Sequence, residues 1–511
     1  MIQLSPYTTA TGVELLYTGS PDVKMLDQLA DGPGDIWHSG LQQGLANAFP
    51  ELKYQAATFW WYINDFPNND QVISWRFPLD SFVIRKNVWN QTQGIDSDYD
   101  DELISGLDFG YRLLRYAGAT ILHIDGLFDA DSKSSQISDK DLVRFYLKFF
   151  KKDHLYYMIS RQSIGRAAQI TSLMLSLKSK VKRYQEELIE PRELQEIAGQ
   201  PTVSYIIPTM MRQEMTAALL DDLAAQTYPP TQVIIIDATP ESDRVDDIYD
   251  KRLPFELIVE WQTTKGSCRA RNEALEHVTS DYVIFGDDDI KIQPQFVENH
   301  LRFLQTYKAD ACNGSDIMAD HAQQDLSDLA KKVGQLDKSF FRTGVSQSFN
   351  NANSCVRREW IEKIGPNDVN YDGGYGEDSD YGIRLVKNGA VVLYNPFSIN
   401  LHLKPPKGGY RFWGAESKKL GKARKKQPWE GDRPVQDIIP VPSPTINYFN
   451  IKHFTPEQNQ EYKRIHLFKK WTKNGLGGMW YALKNSSYQK KQFAESMIYA
   501  RALLKKGETY R

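Results

Sequence analysis

The sequence predicts an α/β protein with a largely parallel sheet in its middle third, and two patterns carry this prediction. Short apolar runs typical of buried strands recur at residues 203–207, 232–237, 255–261 and 281–285. Between them, residues 215–226 and 268–278 have apolar side chains at helical spacing. Strands separated by helices indicate βαβ units, in which neighbouring strands run parallel.

The composition is that of an ordinary globular chain and argues against several classes of protein. Of the 511 residues, 41% are hydrophobic and 25% charged, and the net charge is −3. Nucleic-acid-binding proteins usually carry a basic excess, so we expect no nucleic-acid partner. The three cysteines are too far apart in sequence for a metal-ligand motif or a disulfide framework. Neither a secretory signal nor an apolar run of roughly 20 residues is found, so we expect a cytoplasmic location.

Three adjacent carboxylates, Asp287, Asp288 and Asp289, follow the last of these predicted strands. In open α/β sheets, ligands bind beyond the carboxyl ends of the strands. Carboxylate oxygens suit hard divalent cations such as Mg²⁺ and Mn²⁺, which bridge proteins to phosphates and would relieve the repulsion among the three charges. For this segment by itself, an Asp-rich turn before a helix that starts near Pro294 is the alternative.

A second acidic pair, Glu377 and Asp378, follows the glycine-rich segment 373–376 and opens a predicted helix. A carboxylate at the mouth of a helix, after a flexible loop, is suited to act as a general base with its neighbour in support. Acids that only complement the helix dipole would show the same pattern. The residues alone leave both interpretations open.

Six motifs occur in order along the chain: SYIIPTMMRQE, IIIDATPESD, GSCRARNEAL, VIFGDDDI, NNANSCVRREWIEKIG and GGYGEDSDYGIRL. Together they resemble glycosyltransferase family 2, inverting enzymes of the GT-A fold. The last motif and the residues after it, as far as residue 409, are similar to the chondroitin-polymerase and polypeptide GalNAc-transferase type. The similarity as a whole covers roughly residues 203–409. It implies an α/β, GT-A catalytic domain that uses a nucleotide-diphosphate sugar, with a UDP-sugar as the expected donor.

The resemblance also implies a role for each residue that matches a motif. Asp378 is the expected catalytic base, with Glu377 beside it to orient a substrate. Asp287, Asp289 and the late His402 are the expected ligands of Mn²⁺ or Mg²⁺, although a lone histidine is as often structural. The expected nucleotide-sugar-binding residues are Pro208, Thr209, Asp237, Gly266, Arg269, Arg271 and Asp288.

The sequence departs from the family in two places. After Asp237 the chain continues ATPESD instead of the usual glycine-serine turn, and Tyr371 and Tyr375 stand where the family often has a tryptophan. These departures leave the sugar and the acceptor open. The implied reaction is hexosyl or N-acetylhexosaminyl transfer to a glycan or lipid-linked acceptor, in bacterial surface polysaccharide synthesis.

Two other functions compete with this one. A non-catalytic, carbohydrate-binding or scaffolding subunit of a glycan-assembly complex would need neither acidic site. A sugar nucleotidyltransferase would need a glycine-rich phosphate loop after the first strand, and the segment IIPTMMRQE has no glycine there. Turnover of a nucleotide sugar separates the first alternative from a transferase.

An internal repeat links the N-terminal part of the chain to this catalytic region. Residues 107–122 match residues 379–393 with one inserted residue, and residues 81–89 resemble residues 353–361. The alignment puts Ser105 and Gly106 at the positions of the acidic pair. We therefore predict a catalytically silent, degenerate copy of the back half of a GT-A domain. The acidic segment GIDSDYDDELI nearby lacks the glycine and the final glutamate of an EF-hand loop.

We predict four regions along the chain. They are a degenerate GT-A-like half-domain (1–135), a helical connector (136–200) with long helices over residues 138–189, a GT-A catalytic domain (201–410), and a basic loop with a helical C-terminal region (411–511). In the half-domain, four aromatic residues are either sugar-stacking platforms or core: Trp60, Trp61, Tyr62 and Trp75.

The helical C-terminal region is rich in lysine. Lysines at 469, 470, 473, 490, 491, 505 and 506 alternate with Phe468, Trp471, Trp480, Phe493 and Leu504. Such a pattern predicts either peripheral contact with the inner face of a membrane or a helix packed on the catalytic domain with a solvated lysine face.

Overall fold

The structure of the protein is a computed structural model that describes most of the chain. The described residues are 2–40, 60–66, 69–129, 137–185, 187–346, 348–410, 426–472 and 475–510. The side chains of Trp60 and of residues 468–484 lie outside the described part. The predictions made for Trp60, for the basic segment before residue 426 and for the lysines and aromatic residues from 468 to 480 therefore lie outside it too.

The N-terminal part forms a six-stranded sheet. Its strands are β1 (Ser5–Thr8), β2 (Glu14–Thr18), β3 (Ile36–His38), β4 (Gln71–Ile73), β5 (Phe82–Arg85) and β6 (Ile121–Ile124). They lie in the order β1-β2-β5-β3-β6-β4. The helices of this part are α1 (Leu26–Ala30), α2 (Lys86–Asn90) and α3 (Glu102–Arg112), and a π-helical turn, Leu113–Ala117, continues α3.

Three helices follow the first sheet: α4 (Asp139–Phe149), α5 (Lys152–Ser160) and α6 (Ile164–Leu177). The prediction of long helices up to residue 189 is wrong beyond Leu177. The backbone after this residue bonds to other elements instead of continuing a helix. The amide of Tyr184 donates to the carbonyl of Lys148, and the amide of Ile189 donates to that of Ala117.

The second part is built on an eight-stranded sheet. Its strands are β7 (Val203–Thr209), β8 (Gln232–Asp237), β9 (Glu256–Trp261), β10 (Tyr282–Gly286), β11 (Ile290–Ile292), β12 (Ala311–Met318), β13 (Asn353–Arg357) and β14 (Val392–His402). The helices between them are α7 (Gln213–Ala224), α8 (Ser267–Glu276), α9 (Phe296–Tyr307), α10 (Leu326–Val333), α11 (Arg358–Ile364) and α12 (Glu377–Lys387).

The strand order in this sheet is β11-β14-β12-β13-β10-β7-β8-β9. Strands β10, β7, β8 and β9 are parallel, as predicted from the alternation of strands and helices. The apolar side chains of β7, β8 and β10 are buried, which explains the short continuous apolar runs. The other half is mixed, because β13 and β11 run antiparallel to their neighbours.

The chain ends in three further helices, α13 (Pro444–His453), α14 (Pro456–Thr472) and α15 (Gly475–Lys506). Short 3₁₀ turns lie at Val23–Met25, Trp60–Tyr62, Glu241–Asp243, Lys338–Phe341, Val369–Tyr371 and Pro428–Glu430. Across the described part, no helix has the length and apolar character needed to cross a membrane.

The two sheets share a three-strand unit. Strand β3 lies between β5, to which it is antiparallel, and β6, to which it is parallel; β12 lies between β13 and β14 in the same way. The register also corresponds. Ile36 faces Ile84 and Ile121, and Ala311 faces Val356 and Val392. In both units a helical region, α4–α6 or α13–α15, follows the last strand.

The aromatic residues proposed as sugar-stacking platforms are core residues. Trp61, Tyr62 and Trp75 are at most 1% exposed. Trp61 packs against helix α12, where a side chain on Gly382 would collide with its indole ring. The stacking hypothesis is therefore wrong for these three residues, because their rings contribute to packing.

Candidate active site

A cavity of about 460 Å³ opens beyond the carboxyl ends of β7 and β10. Asp287, Asp288 and Asp289 line it next to Pro208, and Glu377 reaches it from the start of helix α12. The segment after β14, including Tyr410, also contributes to the lining, as does His402 at the end of that strand. The aspartate triplet and Glu377, far apart in sequence, thus face one cavity, whereas Asp378 is not among the residues that line it.

Asp287, Asp289 and His402 each offer one ligand atom, and these atoms lie within 4.8 Å of one another. Strand pairing brings the histidine to the carboxylates. Strand β11 begins directly after the aspartates, and its first residue, Ile290, pairs with His402 on β14. Two carboxylate oxygens and one imidazole nitrogen at this spacing form a donor set that fits Mn²⁺ or Mg²⁺, so these residues suit the predicted cation.

His402 is held in place by Asp316, a residue that the sequence analysis missed. The Nδ1 atom of His402 lies 2.9 Å from Asp316 Oδ2, and its Nε2 atom lies 3.2 Å from Asp289 Oδ1. Burial lowers the pKa of His402, but hydrogen bonds to the two carboxylates outweigh it and raise the pKa to about 11. A carboxylate behind a histidine orients its other nitrogen toward a metal.

Asp288, the middle residue of the aspartate triplet, contacts an arginine and a threonine instead of a histidine. Arg212 Nη1 lies 2.8 Å from Asp288 Oδ1 and also 2.8 Å from Asp289 Oδ2, and Thr209 donates to Asp288 Oδ2 at 2.7 Å. Burial raises the pKa of Asp288 to about 7, although Arg212 acts in the opposite direction. Arg212 lines the cavity as a largely buried cation, and it too was missed, since its place depends on the turn between β7 and α7.

Two of the predicted nucleotide-sugar-binding residues, Arg271 and Arg269, pair with acids, and the first of these pairs lines the cavity. Arg271 Nη2 lies 2.8 Å from Asp287 Oδ1, and Arg269 Nε lies 4.0 Å from Asp372 Oδ2. Gly266, at the start of α8, has to be glycine, because a Cβ there would lie 2.1 Å from Asp372 Oδ2. Asp372 Oδ1 accepts a hydrogen bond from the amide of Cys268, and burial raises the pKa of Asp372 to about 7.

Glu377 and Asp378 lie in the first turn of α12. The chain reaches them through Gly373 and Gly376, which have φ angles of +69° and +108°. This backbone region favours glycine, so the glycines allow the sharp entry that places the acids at the helix N-terminus. The positive end of the helix dipole favours carboxylates at this position.

Asp237 lies at the end of β8 and is fully buried. Its Oδ1 accepts from the amide of Thr239 at 2.8 Å, and its Oδ2 accepts from Tyr249 Oη at 2.9 Å. Asp237 does not line the cavity described above. Its role in binding the nucleotide sugar stays a prediction.

Tyr410 also lines the cavity. Its hydroxyl lies 3.1 Å from the carbonyl oxygen of Thr209 and 3.2 Å from Gln262 Oε1. These bonds tie the segment after β14 to the ends of β7 and β9. A contact between residues 201 positions apart leaves no mark in the local sequence pattern, so the tyrosine could not be singled out.

Comparison with known proteins gives a consistent result for this region. Residues 204–365 match the model of the family "Glycosyl transferase family 2". A "PGL/p-HBAD biosynthesis glycosyltransferase" of Mycobacterium bovis is 26% identical over 196 residues, which is 38% of this chain and 72% of that protein. The "Poly(ribitol-phosphate) beta-N-acetylglucosaminyltransferase TarS" of Staphylococcus aureus is 25% identical over 111 residues, 21% of this chain and 19% of that protein.

Solved structures align with this chain at lower sequence identity. The crystal structure of S. aureus TarS 1-349 aligns with a TM-score of 0.33 and 17% identity, covering 40% of this chain and 60% of that one. The mannosyltransferase PcManGT from Pyrobaculum calidifontis aligns with a TM-score of 0.35 and 15% identity, covering 61% and 90%. The family match and the named relatives confirm the predicted family and α/β fold: residues 204–365 match glycosyl transferase family 2, and the chain contains a glycosyltransferase domain.

Proposed function

We propose that the protein is a metal-dependent, inverting glycosyltransferase that moves a sugar from a nucleotide-diphosphate sugar to a hydroxyl group of a glycan or lipid-linked acceptor. The observation that carries this proposal is one cavity with two acidic sites. The cluster of Asp287, Asp289 and His402 lines this cavity, and so does Glu377 at the start of α12.

The first acidic site suits a donor diphosphate. A divalent cation bound by Asp287, Asp289 and His402 would supply Lewis-acid neutralisation of the charge on the leaving diphosphate. Arg271 and Arg212 bring two further cations to the same site. Because both guanidinium groups are already held by the aspartates, they are fixed before the donor binds, as electrostatic stabilisation of a leaving group requires.

The second acidic site suits activation of the acceptor. An attacking hydroxyl has to lose its proton as the new glycosidic bond forms, and Asp378 is the residue to which we assign this proton. Glu377, which lines the cavity, would orient a substrate hydroxyl. A single displacement with one base, on the face opposite the leaving group, inverts the anomeric centre.

The named relatives support the choice of substrate class. One is a poly(ribitol-phosphate) β-N-acetylglucosaminyltransferase, and another is named for PGL/p-HBAD biosynthesis, both from bacteria. We therefore extend the proposal to N-acetylhexosaminyl or hexosyl transfer from a UDP-sugar, in bacterial surface polysaccharide synthesis. A non-catalytic scaffolding role is the alternative, and it predicts no turnover.

A panel of UDP- and GDP-sugars, assayed with Mn²⁺ and with Mg²⁺ for released nucleoside diphosphate, tests the proposal. Asp289→Ala should lower turnover by at least ~10²-fold, because it removes a ligand and breaks the contacts of His402 and Arg212. Asp432→Ala, at an exposed aspartate, is the matched control. Full activity in excess chelator would contradict metal dependence, and no release from any donor would favour the scaffolding role.

A further inference from the structure

Helix α6 presents an apolar face to solvent. Ile164 is 91% exposed and Leu175 is 65% exposed. At 3.6 residues per turn these two side chains point within about 20° of each other, roughly 16 Å apart along the helix. Ala168 and Ser172, both exposed, lie on the same side between them. The exposed face is therefore a continuous strip of small and apolar side chains.

The opposite face of α6 attaches the helix to the protein. Ile170 is fully buried and Leu177 is 7% exposed, and both belong to the main hydrophobic core. The fold thus fixes the orientation of the helix, and the outward position of Ile164 and Leu175 follows from it. Exposed apolar side chains collected on one face mark a site of interaction more often than isolated ones do.

The surroundings of this face are basic. Residues 154–185 contain no aspartate or glutamate. Two basic residues of this stretch, Arg161 and Arg166, form ion pairs with Glu461 and Asp139. The others, apart from His154, are Lys178, Lys180, Lys182 and Arg183. These four directly follow α6 and are exposed. An apolar strip that leads into a lysine- and arginine-rich segment is the arrangement that binds anionic lipid headgroups.

The basic segment also borders a cavity of about 500 Å³ between the loop before α3 and the end of α6. Lys180, Lys182 and Arg183 line it together with Arg144. Three acidic residues, Asp96, Asp98 and Glu187, line it as well, and two of them are already paired, Asp96 with Lys148 and Glu187 with Arg112. The Nε and Nη1 atoms of Arg144 are buried and have no hydrogen-bond partner within the described structure. Buried guanidinium nitrogens without an acceptor favour an anionic occupant of this cavity over a neutral one.

We propose that α6 and the basic segment 178–183 form a docking surface for an anionic lipid bilayer. A second copy of the chain fits the same surface less well. A symmetric contact through this face would set the same lysines and arginines of the two copies against each other, and like charges repel. This proposal does not depend on the proposed reaction, because it concerns a face of the N-terminal part.

The C-terminal helix α15 lacks such a face in its described residues. Tyr488, Ile498 and Leu504 are each more than two-fifths exposed. Their spacing spreads them about 80° to 160° apart around the helix axis. Phe493, one of the residues in the predicted membrane pattern, is 3% exposed and belongs to the packed side. The described part of α15 therefore offers a weaker membrane surface than α6.

Vesicle flotation of the full chain tests the proposal, with phosphatidylcholine vesicles and with phosphatidylcholine vesicles that contain about 30% phosphatidylglycerol. We expect binding to the anionic vesicles, weakened as salt rises, and little binding to the neutral ones. Ile164→Glu with Leu175→Glu should lower the partition coefficient by at least ~10-fold. Lys180→Gln, Lys182→Gln and Arg183→Gln together should lower it by roughly 10²-fold, at about fivefold per charge.

Ile498→Glu with Leu504→Glu is the matched control, since these exposed residues lie on α15 and should leave binding unchanged. All substituted basic residues are exposed, so the charge variant stays informative if the glutamates disturb α6. Equal binding to both kinds of vesicle, no binding to either, or a loss caused only by the α15 variant would each overturn the proposal. So would a dimer in solution that the Ile164→Glu and Leu175→Glu variant dissociates.

Discussion

The N-terminal and C-terminal copies of the repeated unit have the same buried ion cluster. In the N-terminal copy, Asp108 lies 2.9 Å from Arg112 Nε and 2.6 Å from Lys148 Nζ, and it accepts a hydrogen bond from Tyr99 at 2.7 Å. The arginine is one helical turn after the aspartate, the tyrosine comes nine residues before it, and the lysine comes from α4.

The C-terminal copy repeats these spacings. Asp380 lies 3.0 Å from Arg384 Nε one turn later, 2.7 Å from Lys452 Nζ on α13, and 3.0 Å from the hydroxyl of Tyr371, nine residues earlier. His453 adds a fourth contact at 2.8 Å. Burial alone would raise the pKa of Asp380, but these partners outweigh it and hold the pKa below its ordinary value. The repeat thus includes α4 and α13, which the sequence comparison did not link.

The copies differ at the start of the helix that carries the aspartate. Helix α3 begins at Glu102 and helix α12 begins at Glu377. Measured from the aspartate of each ion cluster, α3 therefore starts one turn earlier than α12. The segment Gly374–Gly376 replaces that turn in the C-terminal copy, and this puts Glu377 and Asp378 at the helix N-terminus. In the N-terminal copy Ser105 and Gly106 lie inside the helix, where a Cβ on Gly106 would be 2.0 Å from the carbonyl oxygen of Phe77. No acidic side chain can occupy that position.

The comparison shows which features of the unit serve folding and which serve the site. The ion cluster occurs in both copies, so it belongs to the framework. The glycine segment and the acids occur only where the cavity is. The N-terminal copy also packs on the catalytic helix, since Asn69 Nδ2 donates to the carbonyl of Lys387 at 3.0 Å and Trp61 lies against Gly382.

The largest effect is expected from the shared cluster. Asp380→Asn or Asp108→Asn should each lower the free energy of unfolding by about 3–5 kcal/mol, because a buried lysine and arginine lose their counter-ion. Denaturant titration of the full chain measures this loss. Asp98→Asn, at an exposed position near the N-terminal cluster, should change it little. An unchanged transition for Asp108→Asn would show that the N-terminal cluster is not part of the framework.

The second-largest effect is a difference in transfer activity between matching substitutions in the two copies. Asp378→Asn should lower transfer by at least ~10²-fold, the scale of a general base, while donor binding is retained. Ser105→Ala, at the start of the corresponding pair, should leave transfer unchanged. Steady-state rates and donor titration by calorimetry give the two quantities. A collapse of donor binding in Asp378→Asn would mean that Asp378 belongs to the donor site and that the base is another group.

Much of the catalytic part could be predicted from the sequence. The strands β7, β8 and β10 are short, apolar and fully buried, so their pattern is strong, and the aspartates come at a strand end. The repeat was visible because the glycines and the Asp-Arg pair keep their spacing. Residues 107–122 contain one residue more than residues 379–393, and the π-helical turn Leu113–Ala117 accommodates it. In a sequence alignment this turn is visible only as a gap.

Other features depend on contacts between distant residues and could not be predicted. Asp316 meets His402 because β12 and β14 pair, and Arg212 reaches the aspartates from the turn before α7. The helix prediction up to residue 189 was wrong because residues 184 and 189 bond to the backbone of the N-terminal part. For Trp61 and Trp75, composition could not distinguish a stacking surface from a core.

A smaller effect is expected from the glycine that opens the catalytic helix. Gly376 has φ +108°, and Gly376→Ala should cost roughly 1–2 kcal/mol because an L-residue resists this conformation. The strain should shift the first turn of α12. We therefore expect the transfer rate to fall by more than the loss of stability alone would cause. Gly94→Ala, at a surface glycine with φ +76° and open space around it, is the control for strain alone. Equal transfer rates for Gly376→Ala and the unmodified protein would contradict this role for the glycine.

The smallest effect concerns a position at which both copies have an aspartate. This residue is Asp100 in the N-terminal copy and Asp372 in the C-terminal copy. Asp100 is exposed and paired with Lys140, and that hydrogen bond lowers its pKa. Asp372 is buried beside Gly266, and burial raises its pKa to about 7. A carboxyl whose folded-state pKa exceeds its unfolded value of ~3.9 contributes stability fully at low pH and loses that contribution as pH rises toward 7.

Asp372→Asn should therefore raise the free energy of unfolding at pH 8 by roughly 1 kcal/mol, and the gain should shrink toward pH 4. Denaturant titrations at about pH 4.5, 6 and 8 give the profile. Asp100→Asn should show no such gain, since the lowered pKa of Asp100 means that its charged form is favoured in the folded protein. A gain for Asp372→Asn that is independent of pH would show that its effect comes from packing beside Gly266. A gain in the free energy of unfolding that is confined to high pH would mean that the buried carboxylate of Asp372 costs the C-terminal copy stability. The N-terminal copy avoids this cost because its carboxylate, Asp100, is exposed.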